Sequence, residues 1–478
     1  MNKSLKEKIK SIVGNENYFD SEEDKRVYSF DATPIFEQKP EAVIFPEDEE
    51  KISEIVKLAN REKFNIVPRG AGTGLSGGAV PVENCLLVVM TKWNNIIEID
   101  TKNLTATVQP GVVTGYLQKE VEKLNLFYPP DPGSMNVCTI GGNVANNAGG
   151  LRGLKYGVTK NYVMGTEMIL PNGELLKTGG KNFKDVAGYN LKDFIIGSEG
   201  TLGIITKIIL KLIPIPAKSV TMLAYFDKLS DSAKAVAGII SSNIVPSMME
   251  FLDNTTINCV EDYTKVGLPR NSEAILLIES DGRGSIVEED AETIINILKK
   301  NNASFVRKAA SAEEADSLKT ARRSAFSALA RKKPTTILED ATVPRSELPV
   351  MIEKITEAAK RYDLIFGDFG HAGDGNLHPT CLTDERDKAA IEKAHNAFDF
   401  IFNEAIKLGG TITGEHGTGL AKKQFLEKVA GIPGIEMMKK IKSVIDENNI
   451  LNPGKIFSIA PRCEEPLPYS REQILKNN

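Results

Sequence analysis

Three of the four histidines of the chain fall in two short glycine-rich stretches. HAGDGNLH carries His371 and His378 on either side of a Gly-Asp-Gly-Asn turn, and GEHGTG carries Glu415 and His416. Imidazole is the commonest metal ligand and titrates near neutral pH, and a hairpin presents residues from both sides of its turn together. The two stretches therefore predict one site with two imidazoles, a carboxylate and a spare base. The alternative is that these are turn residues whose histidines only cap strands.

A basic segment offers groups that could hold an anion near such a site. Residues 317 to 333, SLKTARRSAFSALARKKP with the following proline, are predicted to form one helix that carries Arg322, Arg323 and Arg331. In a chain of net charge −5 these arginines are candidates for an anionic substrate, and the alternative is a solvated helix face. His395, the fourth histidine, lies in a helical pattern of mixed polarity and is predicted to be structural.

The stretch PRGAGTGLSGG, residues 68 to 78, contains the spacing G-x-G-x-x-G at Gly72, Gly74 and Gly77. A dinucleotide-binding turn of that type opens directly into a helix. Here the glycines run into Pro81 and the strand-like CLLVVM, so the NAD interpretation is rejected. Such a loop can still turn several backbone N–H groups toward a phosphate, with help from Arg69 and Thr73. A plain flexible loop is the alternative.

Three further stretches are dense in small residues: PPDPGS at 129 to 134, TIGGNVANNAGG at 139 to 150, and GSEGTLGIIT at 197 to 206. Small residues let backbone pack against a flat ligand without intervening side chains. These stretches therefore predict a binding surface for a planar cofactor.

Composition narrows the class of protein. A length of 478 residues is too great for one core, and 41% hydrophobic with 26% charged residues is typical of a soluble globular enzyme. The net charge offers no basic face for nucleic acid. The five cysteines form no C-x-x-C pair, which argues against cysteine-bound zinc or iron–sulfur clusters and for reduced thiols in a cytoplasmic protein. No apolar run approaches ~20 residues, so no membrane span is expected.

Hydrophobic periodicity indicates the elements that would position these residues. A helical pattern at 47 to 63 lies between the apolar stretches EAVIFP and FNIVP, which predicts a β-α-β unit. Pro214 and Pro216 break the chain, and the alternating strand and helix patterns after Ala217 indicate an α+β domain with an antiparallel sheet. The predicted domains are residues 1–217, 218–424 and 425–478. The last has a helical pattern to Asn449 and a peripheral charged tail after Pro461.

Taken together, eight motifs in order resemble one known family. PRGAGTGLSGG, PPDPGS, TIGGNVANNAGG, KYGVT, GSEGTLGIIT, HAGDGNLH, GEHGTG and ILNPGK occur in the order found in the FAD-linked 2-hydroxyacid dehydrogenases. This group includes D-lactate dehydrogenases, the flavoprotein chain of glycolate oxidase, and D-2-hydroxyglutarate dehydrogenase. The resemblance implies an α+β fold. Its parts are a two-part vanillyl-alcohol-oxidase-type FAD-binding domain, an antiparallel-sheet cap domain, and a C-terminal helical segment that returns to the FAD domain.

The resemblance also implies which residues bind FAD. The pyrophosphate loop would be Arg69, Gly70, Ala71, Gly72, Thr73, Gly74, Leu75 and Ser76. The flavin would lie along Pro132, Ser134, Gly141, Gly142, Asn143, Ala148, Gly149, Gly153 and Tyr156, and the adenine side would be held by Glu199, Gly200 and Ile205. Some relatives attach FAD through a histidine in the pyrophosphate loop, and this loop has none, so FAD is expected to be non-covalent.

The resemblance assigns roles in the histidine site as well. His371, His378 and Glu415 would bind a divalent metal ion (zinc, iron or manganese), His416 would be the catalytic base, and Arg322 would grip the substrate carboxylate. Because Glu415 and His416 are adjacent, a regular strand would turn them to opposite sides, so a turn must bring both into one pocket.

One departure from the pattern bears on the substrate. Where the 2-hydroxyglutarate enzymes carry a lysine, this chain aligns Leu338. A small monocarboxylate is therefore favoured, with D-lactate oxidation to pyruvate first. The alternatives are a glycolate or D-2-hydroxyglutarate dehydrogenase, a synthase of the alkyl-glycerone-phosphate type without net redox chemistry, and a flavin module that only relays electrons.

The route of the electrons follows by elimination. The sequence has no iron–sulfur motif, no haem motif and no helix-linked NAD fingerprint. The acceptor is therefore expected to be another soluble redox protein. An electron-transferring flavoprotein is the first choice, and an iron–sulfur partner subunit is the alternative.

Overall fold

A computed structural model describes residues 1–457, so the tail after Pro461 and Cys463 lie outside the described residues. Up to Pro214 the strands β1 to β11 are Tyr18–Phe19, Ala42–Ile44, Asn65–Arg69, Cys85–Val89, Ile96–Asp100, Thr105–Val108, Leu126–Phe127, Val163–Ile169, Leu175–Gly179, Ile204–Lys211 and Ile213–Pro214. The helices α1 to α7 are Lys3–Val13, Glu22–Val27, Glu49–Glu62, Thr114–Glu122, Ile140–Asn146, Gly153–Tyr156 and Leu191–Ile195.

These strands form two main sheets. One has the order β1-β2-β4-β3, with β2 and β3 both parallel to β4. The other has the order β5-β6-β10-β8-β9 and is antiparallel. The predicted β-α-β unit is β2-α3-β3. The carboxylate of Asp48 caps α3, and the helix buries Ile52, Ile55 and Val56 on the predicted face. The glycine-rich loop then enters β4, and no helix is described between Arg69 and Cys85. An NAD-binding turn would need a helix directly after the glycines, so the structure agrees with the rejection of that interpretation.

After Pro214 the chain builds a larger antiparallel sheet. Its strands β12 to β19 are Lys218–Phe226, Met248–Asp253, Ala274–Gly282, Ala303–Lys308, Thr335–Leu338, Ala341–Thr342, Ile365–His371 and Asn376–Thr383. The helices α8 to α15 are Leu229–Ile240, Asn254–Thr264, Ile286–Lys300, Ala312–Arg323, Ala325–Leu329, Leu348–Tyr362, Lys388–Lys407 and Leu426–Ile445. The strand order is β15-β12-β14-β13-β18-β19-β16, and β17 pairs with β19.

Alternate side chains of this sheet enter two different cores. On one face Met249 and Phe251 pack with helices α8, α10, α13 and α14. On the other face Met248 and Leu252 pack with α9, α11 and α12. Because side chains alternate across a strand, Glu250, which lies between Met249 and Phe251, points to the second face. That face also carries Phe369, and the candidate site is built there.

The prediction of one continuous helix over residues 317 to 333 is wrong. The segment is divided into α11 and α12 at Ser324, and turns follow Leu329. The hydroxyl of Ser324 donates to the carbonyl of Ala321 at 2.7 Å. A serine side chain that bonds to the preceding turn competes with the regular helical ladder, so the helix ends directly after Arg322 and Arg323.

The end of the described chain packs back on the first sheet. Ile450 and Leu451 join the core around β2, β3 and β4, and the buried ammonium of Lys455 donates to the carbonyls of Gly77 and Val80. The C-terminal segment thus closes onto the glycine-rich loop, although the exact domain boundaries remain predictions. Among helices within residues 1–457, none is both long and apolar enough to cross a membrane.

Candidate active site

The two histidines of HAGDGNLH lie on the predicted hairpin. β18 and β19 pair with Phe369 opposite His378 and His371 opposite Asn376. Phe369, His371 and His378 therefore share one face of the sheet. The two imidazole rings are buried, their centroids are 5.1 Å apart, and their planes cross at 87°. The turn needs glycine at Gly375, where φ is +83° and a Cβ would clash with the carbonyl of Val343.

The turn that carries Glu415 and His416 is held by one buried carboxylate, that of Asp340. Its Oδ2 accepts the backbone N–H groups of Gly414, Glu415 and His416 at 2.9, 3.0 and 3.1 Å. Three successive amides directed at one oxygen curl the backbone into an anion nest. Sequence reasoning missed Asp340, whose nest brings the adjacent Glu415 and His416 into one pocket.

The predicted ligand atoms converge around this turn. Glu415 Oε1 lies 3.2 Å from His371 Nε2 and 3.3 Å from His378 Nε2, and one ligand atom from each residue falls within 4.8 Å of the others. Two imidazole nitrogens and a carboxylate oxygen suit zinc, iron or manganese, so the residues fit the predicted metal ion. Burial raises the pKa of Glu415, but His371 and His378 more than offset this and hold it well below its usual range.

His416 lies against this cluster with its ring stacked on that of His378, at 5.0 Å between centroids. Burial, only partly offset by the nearby carboxylate of Asp340, lowers the pKa of His416 to about 4. The imidazole is therefore neutral near pH 7, and a neutral imidazole has a lone pair that can accept a proton. This is the state that the predicted base requires.

A second residue that sequence reasoning missed is Glu250, on β13. Its carboxylate lies 2.9 Å from His371 Nδ1 and 2.6 Å from Arg322 Nη2. Arg322 is 4% exposed, and its guanidinium lies 4.8 Å from the centroid of Phe369. The signal was present in the sequence, because Glu250 is flanked on both sides by apolar residues in MMEFLD, and a buried carboxylate needs a partner.

The side chains of Arg322, His371, His378, Glu415 and His416 line a cavity of about 410 Å³ between the two main parts of the chain. Its wall from the part of the chain before Pro214 includes eleven of the predicted cofactor residues, Gly70, Ala71, Gly72, Thr73, Gly74, Leu75, Pro132, Ser134, Gly142, Asn143 and Ala148. Its opposite wall includes Arg322, Phe326, Leu338 and Phe369. Within the described residues, the backbone N–H groups of 71 to 75 donate no hydrogen bond. A row of free amides at a cavity fits a pyrophosphate.

The other predicted cofactor residues are not among those that line this cavity. Arg69 lies behind the loop, where its Nη1 donates to the carbonyl of Ala79 at 3.1 Å. Ser76 Oγ donates to the carbonyls of His416 and Gly417, and Glu199 accepts the N–H groups of Thr418 and Gly419. Arg69, Ser76 and Glu199 therefore shape the loops around the cavity.

The remaining members of the predicted set lie further along the same elements. Tyr156 donates its hydroxyl to Asp281 of the larger sheet at 2.7 Å. A Cβ on Gly149 or Gly153 would clash with Glu415 or Asp374, respectively. Gly141, Gly200 and Ile205 lie at α5, in the turn before β10 and on β10.

Two side chains considered from the sequence lie elsewhere. Arg331 is exposed, with its guanidinium 5.4 Å from the ring centroid of Tyr263. His395 lies on α14, where burial lowers its pKa to about 4. Neither lines the cavity.

We expect Asp340→Asn to destabilise the fold as well as the site. The change leaves the buried Lys422 ammonium, 3.9 Å from Asp340, without that counter-charge, and it weakens the nest. Glu339 remains 3.4 Å from that ammonium, so the expected cost is that of weakened hydrogen bonds to a buried charge, about 1.5–3 kcal/mol, measured by urea unfolding. Asp316→Asn, at a side chain that is 76% exposed, should change the unfolding free energy by less than about 0.5 kcal/mol. An unchanged unfolding midpoint for Asp340→Asn would show that the nest adds no stability.

Comparison with known proteins agrees with this architecture. A family model of an FAD binding domain matches residues 40–179, and one of the C-terminal domain of FAD linked oxidases matches residues 215–456. The chain therefore belongs to the FAD-linked oxidases, within the FAD-linked 2-hydroxyacid dehydrogenase family that its motifs predicted.

Individual relatives cover nearly the whole chain. Glycolate oxidase subunit GlcD of Bacillus subtilis (strain 168) is 52% identical over 95% of this chain and 97% of the relative. A D-lactate dehydrogenase of Anaerostipes hadrus is 34% identical over 87% of this chain and 90% of the relative. The crystal structure of p-cresol methylhydroxylase superposes with a TM-score of 0.81 at 18% identity, over 95% of this chain and 97% of that one. This likeness confirms the predicted fold class.

Proposed function

We propose that this protein oxidises a small 2-hydroxy monocarboxylate, with glycolate as the first candidate and D-lactate as the second. The observation that carries the proposal is the meeting of His371, His378, Glu415 and His416 with Arg322 at a cavity lined by the glycine-rich loop. The relative at 52% identity is named as a glycolate oxidase subunit, which favours glycolate. The relative at 34% is named as a D-lactate dehydrogenase, which keeps D-lactate as the second candidate.

Each residue has one task in this proposal. Arg322 binds the substrate carboxylate through its guanidinium, which fixes the orientation of the neighbouring carbon. The neutral imidazole of His416 takes the hydroxyl proton. His371, His378 and Glu415 hold a divalent ion, which when bound lowers the pKa of a coordinated hydroxyl. The loop of residues 70 to 75 would hold FAD, whose flavin would supply the hydride acceptor.

The cavity wall favours a substrate with a single carboxylate. Arg322 has buried Nε and Nη2 atoms without a hydrogen-bond partner among the described residues, whereas Arg323 already donates from Nη2 to the buried Asp131 at 2.7 Å, and Leu338 presents an apolar side chain. A second carboxylate would therefore be desolvated without a partner, which is costly. This supports glycolate or D-lactate over 2-hydroxyglutarate.

A substrate series tests the proposal. Steady-state oxidation with an artificial dye acceptor is measured for glycolate, D-lactate, L-lactate and D-2-hydroxyglutarate. We expect kcat/KM to be greatest for glycolate or D-lactate and at least about tenfold lower for D-2-hydroxyglutarate, the equivalent of about 1.4 kcal/mol. Oxidation of none of the four would contradict the proposed function, and a preference for D-2-hydroxyglutarate would contradict the account of the cavity.

We further propose that FAD is held without a covalent bond. The loop nearest the predicted pyrophosphate offers Thr73 and no histidine. Cys138 also lines the cavity, but burial raises the pKa of its thiol, which disfavours a nucleophilic thiolate. Acid or heat precipitation should leave FAD in the supernatant and a colourless pellet. A yellow pellet that keeps its flavin after washing in denaturant would refute this prediction.

The electron acceptor is proposed to be a soluble redox protein, with an electron-transferring flavoprotein first and an iron–sulfur partner subunit second. The word "subunit" in the name of the 52% relative favours a companion chain. We expect slow turnover with dyes, rapid turnover with the protein acceptor, and little with NAD⁺ or oxygen alone. The measurement is the glycolate oxidation rate with each acceptor in turn, and rapid turnover with NAD⁺ or oxygen alone would rule the proposal out.

A further inference from the structure

Glu250 is a fully buried acid of the site, with a relative exposure of 0%. It lies on β13, beside β18 of the histidine hairpin, and its register partner is His371 itself. A carboxylate in such surroundings is retained only where charged or hydrogen-bonding partners satisfy it. Its partners therefore indicate its task.

Glu250 has two partners, and each has a different role in the proposed reaction. One is His371, whose Nδ1 lies 2.9 Å from Glu250 Oε1 and 3.0 Å from Oε2. The other is Arg322, whose Nη2 lies 2.6 Å from Oε2. When a carboxylate holds one nitrogen of an imidazole, the tautomer and ring orientation are fixed and the other nitrogen is left for a metal. The same carboxylate fixes the guanidinium that would bind the substrate.

We propose that Glu250 is a positioning residue shared by the metal ligand His371 and the substrate anchor Arg322. This inference rests on the proposed function, because it assigns those two tasks to the partners. One carboxylate thereby fixes the position of the substrate anchor relative to the metal ligands. Glu250 itself is not among the residues that line the cavity, so it acts through its two partners.

The substitution Glu250→Gln separates this role from simple packing. Glutamine has nearly the same shape, but one of its two terminal groups is a donor. Glutamine is uncharged, so the ion pair with Arg322 is lost, and when its single carbonyl oxygen accepts from His371, its amide group faces Arg322 as a second donor. The variant therefore cannot satisfy both partners at once, although the volume of the side chain is kept.

Glu279→Gln is the matched control. Glu279 is also a buried acid of the same sheet, on the neighbouring strand β14, and is 5% exposed. Its carboxylate accepts from Thr221 and Lys319, both at 3.1 Å, and it does not line the cavity. It controls for the loss of a buried negative charge from this sheet.

Two measurements are made on the full-length, FAD-loaded proteins. The first is the dissociation constant for Zn²⁺, by competition with a chromophoric chelator. The second is anaerobic flavin reduction by glycolate at saturating Zn²⁺, which gives a dissociation constant for glycolate separately from the reduction rate. We expect Glu250→Gln to weaken zinc binding ~10–100-fold, as for other groups that orient a metal-bound histidine. We also expect it to raise the glycolate dissociation constant about tenfold or more, and Glu279→Gln to change neither.

Wild-type values of both constants for Glu250→Gln would overturn the proposal. A loss confined to one constant would overturn the shared role, and equal losses in Glu279→Gln would assign the effect to the buried charge. If Glu250→Gln does not fold, Glu250→Asp, which keeps the charge and is one methylene shorter, is judged by the same two constants. If neither glycolate nor D-lactate reduces the wild-type flavin, the proposed function fails, and zinc affinity alone still decides whether Glu250 holds His371.

Discussion

His378→Ala is expected to lose the bound metal ion and to slow flavin reduction by substrate ~10²–10⁴-fold, the equivalent of several kcal/mol of transition-state stabilisation. The reason is geometric, because His378 Nε2 is one of two imidazole nitrogens that converge on the carboxylate of Glu415. Bound FAD should remain, since the loop of residues 70 to 75 is unchanged. The measurements are metal content per chain, flavin content, and anaerobic reduction kinetics with glycolate.

His395→Ala is the matched control for this change. It removes the one histidine that lies outside the two glycine-rich stretches, on α14 of the larger domain. We expect it to keep metal, FAD and reduction rate. A metal-free His378→Ala protein that reduces its flavin at the wild-type rate would exclude a role for the metal ion.

His416→Asn is expected to lower the rate of flavin reduction ~10²–10⁴-fold, the usual contribution of a general base. Substrate binding should change little, because Arg322 and the metal ligands are untouched. The rate constant and the dissociation constant are separated by measuring reduction over a range of glycolate concentrations. Asparagine keeps a polar side chain of moderate size while removing the basic nitrogen.

Arg322→Ala is the contrasting variant. Because Arg322 would bind the carboxylate in both the ground state and the transition state, its loss should weaken substrate binding as well as the rate. Its removal also leaves Glu250 without its closest cationic partner, 2.6 Å away, so unfolding must be checked in parallel. If the two variants share one kinetic profile, the roles assigned to His416 and Arg322 are wrong.

Much of the histidine site could be predicted from local sequence. A turn of Gly-Asp-Gly-Asn between His371 and His378 leaves a hairpin as the simplest backbone, and the observed β18–β19 pairing places both rings on one face. The β-α-β unit at the start of the chain could be predicted for the same reason, because helix α3 has a strong apolar periodicity and an acidic cap. Both features are decided by neighbouring residues.

The residues that were missed act across long sequence separations. Asp340 lies 74 positions before Gly414, and Glu250 lies 121 positions before His371. No spacing rule links such pairs, because strand order in the larger sheet brings them together. An acid inside an apolar strand was still a usable warning, since burying it unpaired is too costly.

The helix at residues 317 to 333 was mispredicted for a different reason. Strong helix formers lie on both sides of Ser324, and the bond from its hydroxyl to Ala321 coincides with the break. Arg69 and Glu199 were predicted to contact the cofactor because they belong to its motifs. Their side chains instead bond to neighbouring loops and do not line the cavity. The motif thus predicted loops that border the cavity, while the contacts of each side chain depend on the tertiary structure.

The central claim is that flavin reduction by a small 2-hydroxy acid depends on a metal ion held by His371, His378 and Glu415. The most direct measurement is the anaerobic absorbance of the wild-type, FAD-loaded protein on mixing with glycolate or with D-lactate. The absorbance is recorded for three preparations of the protein: as purified, after the metal is removed by a chelator, and after Zn²⁺ or Mn²⁺ is restored. We predict rapid bleaching of the flavin with at least one of the two acids, its loss without metal while FAD stays bound, and its return with metal. Rapid bleaching in protein shown to be metal-free, or no bleaching with either acid, would contradict the account.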